Sequence, residues 1–110
     1  DTPRAVRNLL LSRPGRRMFR LEEAADELLM STAQLRKRLY RAQTSYKSIV
    51  LETRMTLARH YLESTPLSIQ EIAFLLDYAQ PGPFSRAFKK YYGFPPRNVR
   101  AKEVGVSGAI

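Results

Sequence analysis

Apolar positions recur along this chain at helical spacing in short stretches, and strand-like alternation is almost absent. Thr2-Pro3 reads as an N-cap followed by proline at the first helical position, and Val6, Leu9 and Leu10 form a narrow stripe up to a Ser12–Arg17 loop. Leu21, Ala24, Ala25 and Leu28 predict a short second helix, with Glu22 and Glu23 in the first turn, where the helix dipole favours negative charge. Ser31 and Gln34 form a capping-box pattern for a third helix, on which Leu35, Leu39 and Ala42 share a face. From Tyr46 to Leu62 the positions Tyr46, Ile49, Val50, Thr53, Leu57, Ala58, Tyr61 and Leu62 keep a 3.6-residue period, which predicts the longest helix, ended by Ser64-Thr65-Pro66. Ser68 and Glu71 box a fifth helix carrying Ile69, Ile72, Ala73 and Leu76. A turn through 77–83 then leads to a sixth helix, aligned on Phe84, Phe88 and Tyr91 and closed by Gly93. Pro95-Pro96 can start a last short helix through about Lys102, and residues 103–110 are expected to fray.

The second and third helices repeat as the fifth and sixth. Leu21/Ile69, Glu23/Glu71, Ala25/Ala73 and Leu28/Leu76 match at an offset of 48, and Leu35/Phe84, Lys37/Arg86 and Leu39/Phe88 at 49. Each unit is a two-turn helix, a tight turn and a separately started second helix, the outline of a helix-turn-helix, although a helical hairpin repeated in a bundle has the same periodicity. The outward faces favour the first reading. At 100° per residue, Ala33, Arg36, Lys37 and Tyr40 lie opposite Leu35, flanked by Gln34 and Arg41. Gly82, Arg86 and Lys89 lie opposite Phe84, flanked by Ser85 and Lys90. Long cations and amides on a rigid helix suit a duplex major groove, arginine or lysine for guanine edges and phosphates and glutamine for adenine. A solvated charged face is the bland alternative.

The formal net charge of +9 agrees with a polyanionic partner, be it nucleic acid, an anionic membrane face or an acidic protein. Its distribution narrows the choice. Residues 31–47 carry Arg36, Lys37, Arg38, Arg41 and Lys47 with no acid, and 79–102 carry Arg86, Lys89, Lys90, Arg97, Arg100 and Lys102 with none. Residues 21–30, by contrast, hold Glu22, Glu23, Asp26 and Glu27 and no base. Arg97 and Arg100 fit either phosphate contact or pairing with an acidic helix. A chain of 110 residues with 44% hydrophobic content makes one ordinary domain with a packed core. Without cysteine there is no disulfide, cysteine-zinc site or thiol nucleophile, and the single histidine, His60, removes most other metal options. No apolar run reaches the ~18 residues of a membrane span, and the expectation is a soluble cytoplasmic protein with no membrane partner. No phosphate-binding glycine loop, nucleophile with a base or paired catalytic carboxylates is present, so neither an enzyme nor a cofactor is expected. Phe74, Tyr78, Phe84, Phe88, Tyr91 and Phe94 read as core at helical spacing rather than as a base-stacking platform. A helical adaptor that docks an acidic protein surface, RNA polymerase included, stays open beside DNA reading.

The segments Ser68-Ile69-Gln70-Glu71-Ile72-Ala73, 84–93 (FSRAFKKYYG) and Pro96-Arg97-Asn98-Val99-Arg100 resemble the signature of the AraC/XylS family of bacterial transcription regulators. A weaker likeness covers Ala24-Ala25, Met30-Ser31 and 35–39. The resemblance implies an all-α fold of about seven helices: one helix-turn-helix subdomain over 1–44, a linker helix over 45–64 and a second subdomain over 65–102, with a 103–110 tail. It also implies sequence-specific reading of two adjacent major-groove segments of double-stranded DNA. A linker helix about 28 Å long, at 1.5 Å per residue, suits recognition helices about 34 Å apart. Family members contact bases from positions that correspond here to Ala33, Arg36 and Lys37, and to Pro81, Gly82, Pro83 and Arg86. Because 81–83 offer no side-chain hydrogen bonds, direct readout there should rest on Arg86, with Gln80 and Lys89 as phosphate contacts. Asp77 stands where the family usually has glycine. Relatives usually carry a separate N-terminal domain that senses an effector ligand or dimerises, so the chain is expected to be the C-terminal portion of a longer regulator.

Overall fold

Helix ends in this protein are set by short-range side-chain chemistry. The computed structural model describes residues 1–12 and 18–100, and among these there is no strand. The helices are α1 (Thr2–Leu11), α2 (Leu21–Glu27), α3 (Thr32–Arg41), α4 (Tyr46–Ser64), α5 (Ile69–Leu75) and α6 (Pro81–Tyr92), followed by α7 over 96–100. The loop expected to contain Pro14-Gly15, the end of the last helix and the 103–110 tail fall outside the described residues. Ser31 and Ser68 cap α3 and α5, each accepting from the amide three residues on, while Gln34 and Glu71 accept from the cap amides. Asp1, not Thr2, caps α1: its carboxylate accepts from the Arg4 amide at 2.8 Å, beyond the proline that has no N–H to offer. α6 begins at Pro81, inside the expected turn, because a proline at the first helical position loses no hydrogen bond the helix would have made.

Three helices end in the same paired bonds. Leu29 N–H donates to the Asp26 carbonyl and Met30 N–H to Ala25; Gln43 and Thr44 repeat this on Tyr40 and Leu39, and Asp77 and Tyr78 on Phe74 and Ala73. That geometry needs a left-handed residue, and Leu29 (φ 59°), Gln43 (φ 61°) and Asp77 (φ 69°) supply it without a glycine. Aspartate tolerates this region, but leucine pays a steric cost of about 1–2 kcal/mol there. Leu29 is 93% exposed, so burial offsets none of that cost.

The chain divides into two compact units, Asp1–Arg54 and Met55–Ile110. In the first, Val6, Leu10, Ala24, Ala25, Leu35, Leu39 and Ile49 form the core. The Tyr46 hydroxyl closes its edge by donating to the Phe19 carbonyl at 2.5 Å, and burial, aided by the Glu23 charge, pushes the phenol pKa up to about 12. In the second unit Met55, Ala58, Leu62, Ile72, Ala73, Leu76, Phe84, Phe88 and Val99 are buried, and Phe84 and Phe88 each contribute about 1.5–3 kcal/mol of transfer free energy. Phe88 lies 4.7 Å from Tyr92 and 6.0 Å from Phe84 between ring centres.

Two expectations about this second core need correcting. Tyr91 is 44% exposed, and it is Tyr92 that turns inward, its hydroxyl donating to the Met55 carbonyl at 3.1 Å. Phe74 is 79% exposed on α5 rather than buried. On α4 the expected positions Ile49, Thr53, Ala58 and Leu62 are buried and Leu57 and Tyr61 pack against the second core, and Met55 is buried as well. Met55, where the second unit begins, is the buried position that the predicted stripe leaves out.

Candidate nucleic-acid interface

The second helix of each unit has one buried and one cationic side. On α3, Leu35 and Leu39 are buried, while Ala33, Gln34, Arg36, Lys37, Arg38, Tyr40 and Arg41 are exposed. On α6, Phe84 and Phe88 are buried, and Pro83, Arg86, Lys89 and Lys90 are exposed, with Pro81, Gly82 and Ser85 half-buried and Gln80 exposed at the N-cap. Neither helix contains an acid, and among the described residues none of the α3 or α6 cations sits in an ion pair. Arg38 and Arg41 in the last turn of α3, and Lys89 and Lys90 in that of α6, also complement the carbonyl end of their own helix dipoles.

Not every candidate is equally free. The Gln34 carboxamide oxygen accepts from the Ser31 amide at 3.1 Å, which leaves its NH2 group to donate but removes the bidentate geometry that adenine recognition needs. Arg86 folds back along α6, with Nη1 3.4 Å from where a Cβ on Gly82 would stand. Tyr40 is 82% exposed and stands between two grooves. One, of about 490 Å³, is lined by Leu21, Arg36, Leu39, Tyr46 and Lys47 among others, and the second, of about 590 Å³, by Arg41, Gln43, Thr44 and Ser48. Lys47 is the residue the repeat comparison passed over. It belongs to α4, outside both repeated units, and only its place in a groove with Arg36 and Tyr40 connects it to the α3 face.

The two ambiguous arginines separate. Arg100 turns inward: Nη2 donates to the Thr65 carbonyl at 2.9 Å and to Tyr61 at 3.3 Å, Nε donates to Leu62 at 3.4 Å, and Nη1 donates to Leu67. It ties the last turn of α4, at Tyr61 and Leu62, to the segment that follows, at Thr65 and Leu67, and so works as a C-terminal clamp instead of pairing with an acidic helix. Arg97 is exposed. His60 is also exposed, its ring 5.8 Å from that of Tyr61, and the described residues contain no cluster of acids and histidine able to hold a metal.

The family model described as a helix-turn-helix domain matches residues 16–102. The chain belongs to this family, in its AraC type. The AraC-type domain is 42% identical over 95 residues to the ornithine utilization regulator of Pseudomonas aeruginosa, an alignment covering 86% of this chain and 28% of that protein. It is 35% identical over 85 residues to the porin thermoregulatory protein EnvY of Escherichia coli K12, covering 77% of this chain and 34% of that one. The chain thus spans about a third or less of these relatives. A crystal structure of a DNA-binding transcriptional dual regulator from Escherichia coli K-12 superposes with a TM-score of 0.89 at 27% identity, covering 96% of this chain and 94% of that one. This is a DNA-binding domain of a transcription regulator.

Proposed function

We propose that the domain binds double-stranded DNA sequence-specifically, with α3 and α6 in two adjacent major-groove segments, as part of a longer cytoplasmic regulator. One observation carries this reading: both second helices bury apolar side chains on one side and present cations without a single acid on the other. In the first unit, Arg36 and Lys37 are the base readers, and Ala33 is small enough for close approach or contact with a thymine methyl. Tyr40, Arg41 and Lys47 hold the backbone. Gln34 serves first as a cap and only secondarily as a donor. In the second unit Arg86 reads, Gln80, Lys89 and Lys90 meet phosphates, and Gly82 and Pro83 supply shape. Effector sensing or dimerisation would belong to other parts of the longer protein.

Exposed Phe74 on α5, beside Glu71, favours a second contact, made to a protein such as RNA polymerase. The two contacts answer to salt differently. If DNA binding neutralises about six phosphates, log K falls against log salt with a slope near −5. Arg86→Ala should cost about 1–3 kcal/mol on a selected site and little on random duplex. A flat salt response, measured by fluorescence anisotropy on labelled duplex, would replace DNA reading with the adaptor role.

A further inference from the structure

The first turn of α6 is poor in the groups that usually meet DNA. Its N-cap residue, Gln80, makes no side-chain cap bond, and Pro81 and Pro83 bring neither an amide hydrogen nor a polar side chain. Of the four amides that a helix start leaves unpartnered, only those of Gln80 and Gly82 exist here. Nor does the backbone need glycine at 82. The positive-φ glycine among the described residues is Gly93, so a residue with a side chain could adopt the Gly82 conformation, and glycine near a helix start gives up helix propensity for nothing local. What the missing side chain does is leave room. The Arg86 guanidinium comes back one turn, toward the helix N-terminus as long side chains on helices do, and reaches within 3.4 Å of the empty Cβ position. Prolines, with their fixed φ and rigid rings, flank that position on both sides in the sequence.

We infer that Gly82 is a positioning residue for Arg86. It provides a slot on the first turn of α6 in which the guanidinium lies ready to take the O6 and N7 edge of one guanine. Pre-setting a four-torsion side chain lowers the ordering cost paid on binding, so a single arginine can carry the recognition that other second helices spread over several polar residues. The inference rests on the reading of Arg86 as a base contact, and it makes the second unit a one-guanine reader. A methyl group at 82 would make ordinary contact with Nη1, while a branched or longer side chain would occupy the slot itself.

The test is a double-mutant cycle on the whole 110-residue chain, using a duplex selected from random DNA by the unmutated chain and a random duplex of equal length, with folding followed by circular dichroism. Arg86→Ala should lower the ratio of selected to random affinity by roughly 5- to 150-fold. Gly82→Val should give most of that loss, Gly82→Ala a change of less than about threefold, and Gly82→Val added to Arg86→Ala no further loss, because non-additivity marks residues that act through one another. Site selection repeated with Gly82→Val should lose one guanine preference and no other. If Gly82→Val melts early, Gly82→Gln takes its place in the cycle. Full selectivity in Gly82→Val, or losses that simply add, would overturn the positioning role while leaving Arg86 a reader. No change in Arg86→Ala would overturn the reading on which the inference stands.

Discussion

The two units share a scaffold and differ where they would touch DNA. Ala24-Ala25 and Ile72-Ala73 are buried at matching places, as are Leu35 with Phe84 and Leu39 with Phe88, and both first helices turn through a left-handed residue, Leu29 or Asp77. The second helices start in opposite ways. α3 opens on Thr32-Ala33-Gln34 under a hydroxyl cap with a full capping box, and α6 opens on Pro81-Gly82-Pro83 with no side-chain cap. Packing requirements repeat because the same helix-turn-helix has to close twice. Reading chemistry is free to diverge, since exposed positions on a helix carry little of the folding free energy.

The sharpest way to break this comparison is to empty both cores at matched positions. Phe88→Ala should cost about 3–5 kcal/mol and Leu39→Ala about 2–5 kcal/mol in urea denaturation, the larger side chain leaving the larger cavity. A cost below 1 kcal/mol at either site would mean that the scaffold is not repeated in energy. Next is the clamp found only in the second unit. Arg100→Ala should destabilise by about 1.5–3 kcal/mol through the charge-assisted bonds lost at the end of α4 and in the segment after it, whereas Arg97→Ala should leave the melt unchanged and, if it meets phosphate, flatten the salt slope by about 1. A smaller contrast lies in the turns. Leu29→Gly should stabilise by about 0.5–1 kcal/mol, the relief of left-handed strain outweighing the added freedom of the unfolded chain, and Asp77→Gly should be near neutral. Equal effects at 29 and 77 would show that the two turns are not strained differently.

The titrating groups give the finest distinction. Hydrogen bonds from the Ser68 backbone and hydroxyl hold the exposed Glu71 carboxyl below its ordinary 4.5. Its contribution is present above that value and is lost as pH falls through the depressed one, so Glu71→Gln should remove a weak acid sensitivity seen by circular dichroism. Tyr46 behaves in the opposite sense. Its pKa is raised from 10 to about 12, so its contribution is present below pH 10 and is lost as pH climbs through about 12, and Tyr46→Phe should abolish that alkaline step.

Much of this contrast was legible in the sequence. Serine caps with Gln34 or Glu71 three residues on, the doubled apolar pattern and the acid-free stretches each follow from local rules, and they fixed α3, α5 and the cationic faces. Tertiary choices were not legible. Nothing in the helical period says that Tyr92 rather than Tyr91 turns inward or that Met55 joins the buried side of α4, because these depend on which neighbours are close by, whereas the α5 stripe of Ile69, Ile72, Ala73 and Leu76 already places Phe74 on the far side. Arg100 read equally well as a phosphate contact, and its carbonyl partners become visible only once the end of α4 is in place. Gln34 shows the limit from the other side: composition makes it an adenine reader, and the capping box takes its acceptor first.

Selection of binding sites from random duplex DNA by the unmutated chain tests the central claim most directly. The account predicts a two-part site, one half specified at several base pairs by Arg36, Lys37 and their neighbours, the other at essentially one guanine that disappears with Arg86→Ala. A site specified equally in both halves, a single half-site, or no enrichment over random duplex would contradict it.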